Sequence, residues 1–270
     1  MTSTALRTAP VLRVRPAMPS AAQKAIAPVV LLLGWAALSS SGLFAADTIP
    51  GPVPVAARVL DMATTATFWT DIASTMTGWA LGLLYSTIIA VPSGILLGTS
   101  DFAYRSCRFV IEFLRSIPTL GIIPLVALIY GTTRQTELTV VVAACVWPIL
   151  LQTMYGVRDV DGAALEAARS YRLSRFQVIR FVIVASATPF VATGFRIAAV
   201  MAMLLAIGIE LLAAVPGIGK TLAQAQTNAQ MVDVFALTLV TALMGVAVLY
   251  LFAAAERRLC RWHPSQRIPS

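Results

Sequence analysis

The sequence predicts an all-α integral membrane protein with about six transmembrane helices, and three observations carry that expectation. Of its 270 residues, 58% are hydrophobic and only 12% are charged, about half of the roughly 25% that a soluble globular domain carries. The charges are gathered into short segments between long apolar runs: residues 25–46, 72–100, 138–157 and 234–255 contain none. Each of those runs reaches the roughly 20 residues that a helix needs to cross the hydrocarbon core.

The chain opens on a mixed polar tail, residues 1–24, with Arg7, Arg13, Arg15 and Lys24. Ala25 to Ala46 is 22 residues without a charge, longer than the ~7–15-residue core of a cleaved signal, and reads as a retained first span. Pro50, Pro52 and Pro54 favour an extended stretch after it. Ile72 to Ser100 is 29 uncharged residues, more than a crossing requires. Its first part is expected along the membrane surface, and Gly78 to Gly98 as the second span. Gly78-xxx-Gly82 and Gly94-xxx-Gly98 have the spacing that lets two helix backbones approach; chance in a glycine-rich segment explains them equally well.

The third span is expected over Phe109–Gly131, with Glu112 and Arg115 near its start and Pro118 and Pro124 inside. Leu138–Val157 is the fourth, Thr188–Ala213 the fifth, interrupted by Arg196 and Glu210, and Val234–Ala255 the sixth. The organisation is then a tail (1–24), a transmembrane domain (25–255) containing a charged loop (158–187), and a second tail (256–270).

Six spans place both termini on one side, and Lys/Arg placement says which. The tails and the 2–3 and 4–5 loops hold fifteen: Arg7, Arg13, Arg15, Lys24, Arg105, Arg108, Arg158, Arg169, Arg172, Arg175, Arg180, Arg257, Arg258, Arg261 and Arg267. The opposite loops hold only Arg58, Arg134 and Lys220. Both ends and the 4–5 loop of this multi-pass chain are therefore expected in the cytoplasm. The same clustering explains the net charge of +8 as a membrane-orientation signal and argues against nucleic acid as a partner.

Cys107, Cys145 and Cys260 are widely spaced and read as small apolar packing residues rather than a zinc site or disulfide framework. With a single histidine, His263, a His-based metal cluster or catalytic triad lacks its parts. No paired acids mark a magnesium–diphosphate site; Asp159 and Asp161, the closest, lie at a helix end in a loop. Enzymatic chemistry is not expected.

The most informative segment is the 4–5 loop, Glu166-Ala167-Ala168-Arg169-Ser170-Tyr171-Arg172-Leu173-Ser174 and onward to Arg180. It is rich in helix formers and longer than a minimal connection. On helical spacing Ala164, Ala167, Ala168 and Tyr171 form a small apolar face, suited either to docking in a partner's groove or to anchoring the loop on lipid headgroups.

This loop resembles the "EAA" segment of permease subunits in bacterial ABC importers, at the place where those proteins have it. Leu114-Arg115-Ser116-Ile117-Pro118 with Ile123-Pro124-Leu125, Pro189 with Thr193-Gly194-Phe195-Arg196, and Glu210-Leu211-Leu212 leading to Gly217-Ile218-Gly219 resemble the branch that imports nitrate, sulfonates and taurine. The resemblance covers roughly Ala25 to Ala255 and implies a type I ABC importer permease fold. It also implies that Glu166, Ala167, Ala168, Tyr171, Arg172, Leu173 and Ser174 belong to a coupling helix seated in a cleft of an ATP-binding subunit. The implied partners are two such subunits, which would hold ATP and Mg²⁺, a second copy of this chain, an extracytoplasmic substrate-binding protein, and membrane lipid. No cofactor is expected on this chain. Two residues depart from the family pattern: Arg172 stands where a glycine is usual, and Val184-Ala185 where Leu-Pro is usual. Arginine takes φ > 0 less readily than glycine, which leaves the turn and the choice of ATPase open.

Ionisable groups inside spans are costly and tend to face a pathway or a partner. Glu112 and Arg115 are three apart and suit either a structural pair beside a gate at Pro118, which should bend the helix, or direct contact with substrate. Arg196, about 12 Å along its helix, suits either attraction of an anion or snorkelling to headgroups. Glu210 falls near the outer end of its span and is expected to order the outer gate or the binding-protein contact. Gly217-Ile218-Gly219-Lys220-Thr221 looks like the end of a phosphate-binding loop, but the glycine it requires further upstream is Ala214, so a turn between helices is expected. The function expected is ATP-driven import of a small organic or inorganic anion. The alternative is a stand-alone secondary transporter or channel, against which stand the absence of a clear internal repeat and of an intramembrane Asp.

Overall fold

The computed structural model describes residues 21–43 and 48–259. Arg7, Arg13, Arg15, Cys260, Arg261, His263 and Arg267 lie outside the described residues, as do Phe44 to Ala46 at the end of the first expected span. The described residues form two compact units, divided between Pro52 and Val53.

The first unit contains α1 (Ala21–Ser40). Its apolar stretch, Ile26–Ser40, is shorter than a crossing helix. The hydroxyls of Ser39, Ser40 and Ser41 donate to the carbonyls of Ala36 and Leu38, satisfying acceptors that a helix end leaves free.

The second unit runs through α2 (Pro52–Met62), α3 (Ala66–Thr99), α4 (Asp101–Arg115), a 3₁₀ turn (Thr119–Ile122), α5 (Ile123–Tyr130) and α6 (Arg134–Arg158). It continues with α7 (Gly162–Ser170), α8 (Arg175–Ala213), α9 (Ile218–Thr227) and α10 (Met231–Leu259). Among the described residues α3, α6, α8 and α10 are long and apolar enough to cross a membrane, and α4 with Thr119–Tyr130 makes a fifth such path bent by 71°.

The glycine spacings in α3 are a packing seam. Gly78, Gly82, Ser86, Ala90 and Gly94 recur every fourth residue and are buried, and Gly98 continues the row. A Cβ on Gly78, Gly82, Gly94 or Gly98 would meet Glu137, Val141, Thr153 or Val157 of α6 within 2.7 Å. The constant offset between the two rows makes α3 and α6 parallel, with α6 side chains filling the notches where α3 has none. On its other side α6 packs antiparallel to α8: a Cβ on Gly156 would strike Phe190, and one on Gly194 would strike Gln152. Trp79 Nε1 donates to the Ala199 carbonyl at 2.8 Å in the core, tying α3 to α8. α10 closes the bundle antiparallel to α8, with the Phe252 ring 5.3 Å from Phe195 and 5.9 Å from Trp79. Cys145 is buried in this core and Cys107 half-buried at its edge, both as free thiols.

Three local expectations change. Pro52 and Pro54 do not extend the chain; they occupy the first turn of α2, where the missing N–H of proline costs nothing. The segment from Ile72 to Thr77 does not form a separate surface element, because α3 is continuous over 34 residues, about 51 Å at 1.5 Å per residue. The fifth span begins at Arg175 instead of Thr188. A capping box between Ser174 and Gln177 starts it, and Val178–Ile183 passes through a wider π-type turn. Val184-Ala185, the departure from Leu-Pro, lies inside α8, as does Pro189.

Candidate functional site

The residues singled out in the sequence fall at two ends of the bundle: the end that carries α7, where α3 and α6 finish, and the far end, where α6 begins and α8 finishes.

At the α7 end the chain leaves α6 through Asp159, and the Asp161 side chain caps α7 by accepting from the Ala163 N–H at 2.9 Å. Ala168 is the buried anchor of α7, 4% exposed, and Ala164 and Leu165 are half-buried beside it. Glu166, Ala167 and Ser170 face outward, and Tyr171 is 82% exposed. The expected four-residue face is thus divided: Ala168 holds the helix to the bundle, and Ala167 and Tyr171 are free to meet something else.

Arg172 takes a left-handed conformation that favours glycine. Its φ is +52°, its N–H donates to Arg169 O at 2.9 Å, and the Leu173 N–H donates to Ala168 O at 3.1 Å. These two bonds form a Schellman motif that ends α7, and the left-handed arginine within it carries a conformational cost. Left-handed geometry costs a non-glycine residue roughly 1–2 kcal/mol. Arg172→Gly is therefore expected to stabilise the end of α7 by about 1 kcal/mol, seen as roughly fivefold slower amide exchange at Arg172 and Leu173. Unchanged exchange would show that arginine bears no strain there. Leu173 is half-buried, and Ser174, exposed, starts α8.

Pro118 marks the break between α4 and the turn leading to α5, as expected from its position. Glu112 and Arg115 do not pair. Glu112 accepts instead from Arg108 at 2.9 Å, one turn earlier on the same face, and Arg115 occupies the last turn of α4, where free helix carbonyls favour a cation.

Arg196 does not project alone into the bundle. It pairs with Glu256 of α10 at 3.0 Å, and the second Glu256 oxygen accepts from Thr193 at 2.9 Å. The Glu256 side chain is 10% exposed and that of Arg196 39%. Arg196→Ala is expected to destabilise the α8–α10 seam by about 1–2 kcal/mol, a buried-pair cost discounted for the exposed arginine. Thermal unfolding in detergent checks it: the double variant Arg196→Ala, Glu256→Ala should be less destabilised than the single one.

At the far end Glu210 is fully buried. Its Oε2 accepts from Thr75 Oγ1 at 2.9 Å and from the Gly219 N–H at 2.9 Å, while Thr75 Oγ1 also accepts from the Ile218 N–H at 3.0 Å. The phosphate-loop look-alike is thus the start of α9, and it receives a carboxylate from its own chain. A Cβ on Gly217 would lie 2.0 Å from Glu210 Oε1, so only glycine fits. A second fully buried acid, Glu137, pairs with Arg134, whose Nη2 donates to Ser74 Oγ at 2.6 Å; Ser74 in turn donates to Pro216 O at 2.8 Å. Together these groups bind α3, α6, α8 and the α8–α9 turn to one another. Read from the sequence, Arg134 falls in a loop and the fourth span starts at Leu138, which misses Glu137, while Ser74 and Thr75 carry no signal of their own. The three-residue Arg134–Glu137 spacing beside an apolar run was the available signal.

Comparison with known proteins follows the same lines. The family described as binding-protein-dependent transport system inner membrane component matches residues 90–261. A probable ABC transporter permease protein of Brucella melitensis is 30% identical over 233 residues, covering 85% of this chain and 92% of that protein. The taurine transport system permease protein of Escherichia coli is 29% identical and covers 87% of both chains. The nitrate import permease protein of a Synechocystis species is 27% identical over 74% of this chain and 75% of its own. Among solved structures, the inward-facing MetNI methionine ABC transporter superposes with a TM-score of 0.61 at 17% identity, covering 72% of this chain and 96% of that one. A crystal structure of an amino acid ABC transporter with histidines gives 0.60 at 17% identity, covering 74% and 98%.

Proposed function

Because this chain belongs to the family of binding-protein-dependent transport system inner membrane components, and so is a permease subunit of an ABC importer, we propose that α7 is its docking element for a separate ATP-binding subunit. The observation that carries this is the division of α7 into a buried anchor, Ala168, and an outward surface made of Glu166, Ala167, Ser170 and Tyr171. An exposed aromatic on a short helix whose far side is fixed to the bundle suits a groove in a partner.

In this reading two copies of the chain form the path and two ATP-binding subunits sit beneath, holding ATP and Mg²⁺. A binding protein on the outer side delivers the substrate. The α7 end and both termini face the cytoplasm, in accord with the distribution of Lys and Arg. The substrate is a small anion, by analogy with the taurine, sulfonate and nitrate permeases among its relatives. The chain performs no chemistry; ATP-driven closure of the partner moves α7 and switches the bundle from inward- to outward-facing.

Co-purification of the tagged chain from its native membranes, with ATP hydrolysis assayed on the product, tests the assembly. Recovery of a nucleotide-binding subunit and a binding protein is the expected result. Recovery of the chain alone, with uptake that ignores ATP and follows an ion gradient, would overturn the docking reading and turn α7 into a lipid-surface helix.

A further inference from the structure

Along the seam between α4 and α6 lies a cavity of about 50 Å³, lined by Tyr104, Arg108, Glu112 and Arg115 on α4 and by Tyr155 above a floor of Met154 on α6. One water needs roughly 10–15 Å³, so the space admits a group of a few heavy atoms. The α4 residues repeat at helical spacing and so form one face. Arg158 closes the end nearest α7: it pairs with Asp101 at 2.6 Å, and its guanidinium stacks 4.2 Å from the Tyr104 ring centre.

The charges along this seam do not balance. Arg158 is met by Asp101 and Arg108 by Glu112, while Arg115 has no acidic partner among the described residues. It lies fourteen residues beyond Asp101, about 21 Å along α4 and directly before the 71° break. Arg115 is exposed in the single chain, and within a span an uncompensated guanidinium is costly and marks a path for ions or substrate, or a partner. The Tyr104 and Tyr155 hydroxyls are also without hydrogen-bond partners among the described residues, so the seam presents one excess positive charge and several unused donors.

We propose that the α4–α6 seam is a subsite for the transported anion, an oxyanion of the sulfonate or nitrate class, with Arg115 taking its charge and Arg108, Tyr104 and Tyr155 donating hydrogen bonds. This rests on the anion reading of the function. Planar guanidinium groups match the oxygens of such anions, and the position beside the break puts the subsite where the path opens or closes. Of the two roles open to Arg115, pairing with Glu112 is taken by Arg108, and Arg115 is assigned to substrate.

The test uses the whole complex, permease with its ATP-binding subunits and binding protein, in phosphatidylcholine vesicles with and without phosphatidylglycerol. ATP-driven uptake of radiolabelled taurine, ethanesulfonate and nitrate is measured for wild type, Arg115→Gln, Arg115→Lys and Tyr155→Phe. Wild type that takes up none of the three overturns the anion reading itself, and the subsite with it. With wild type active on one probe, Arg115→Gln is expected to lower its maximal rate about tenfold or more at unchanged thermal stability. Arg115→Lys, which keeps the charge without the planar fork, should recover only part of the rate, and Tyr155→Phe should lower it about threefold. Uptake by Arg115→Gln within twofold of wild type overturns the subsite. So does a loss accompanied by separation of the two permease copies, which would assign Arg115 to subunit pairing. A wild-type requirement for phosphatidylglycerol that vanishes in Arg115→Gln would place a lipid phosphate in the seam and overturn it equally.

Discussion

Replacing Tyr171 with aspartate is expected to abolish ATP-driven uptake while leaving the amount of permease in the membrane unchanged. Tyr171 is 82% exposed and caps α7 through its backbone, the N–H donating to Ala167 O at 3.0 Å. Its side chain therefore contributes little to the fold, and surface changes of this kind alter stability by about 0.5 kcal/mol or less. The same ring, pressed into a partner's groove, is the kind of residue whose loss costs about 2–4 kcal/mol of binding, a weakening of roughly 30-fold to nearly 1,000-fold. A buried carboxylate without a partner adds a desolvation penalty. Uptake and ATPase activity of the reconstituted complex decide it, with membrane abundance as the control. Uptake within twofold of wild type would remove Tyr171 from the coupling surface, and loss of the protein from the membrane would make its role structural.

Glu210→Ala and Gly217→Val are expected to prevent stable accumulation of the protein, by opposite means. The first removes the acceptor of two buried donors, Thr75 Oγ1 and the Gly219 N–H. At about 1–3 kcal/mol for each donor left unsatisfied, the loss is roughly 2–6 kcal/mol before the cavity is counted. The second leaves the carboxylate in place and drives a side chain into it, since even a Cβ would lie 2.0 Å from Oε1. Glu210→Gln keeps one acceptor oxygen at nearly equal volume and should be markedly milder than either. Thermal unfolding in mild detergent ranks the three; an unshifted midpoint in Glu210→Ala would show that the carboxylate does not hold the far end together.

The long apolar runs made the spans legible, because lipid leaves a chain few ways to hide charge. Arg172, Pro118 and Glu210 were legible as positions for the same reason that they matter: each breaks a local rule. What could not be read was pairing. Glu112 has a cation one turn away on either side, and nothing in the order of letters says that Arg108 will take it. Arg196 finds its partner 60 residues later in Glu256, which looked like part of a soluble tail. The edges of runs misled in a consistent direction: Glu137, Arg134 and Arg175 were left in loops because charge was taken as the end of a helix. Arg134 and Glu137 satisfy each other, and a capping box at Ser174 starts the helix at Arg175.

The shared seam of α3 and α6 has a mechanical consequence. Where the side chains of one helix fill notches that glycines leave in the other, the backbones lie close and only a thin layer remains to absorb a push. α6 leads directly from the end that carries α7 to the buried Glu137 at its other end, 25 residues or about 37 Å. It acts as a stiff lever with α3 welded along it, and a rotation of about 10° about one end would displace the other by about 6 Å. A stroke of that size, more than one helical turn, can be delivered across the membrane without any helix needing to stretch or unwind.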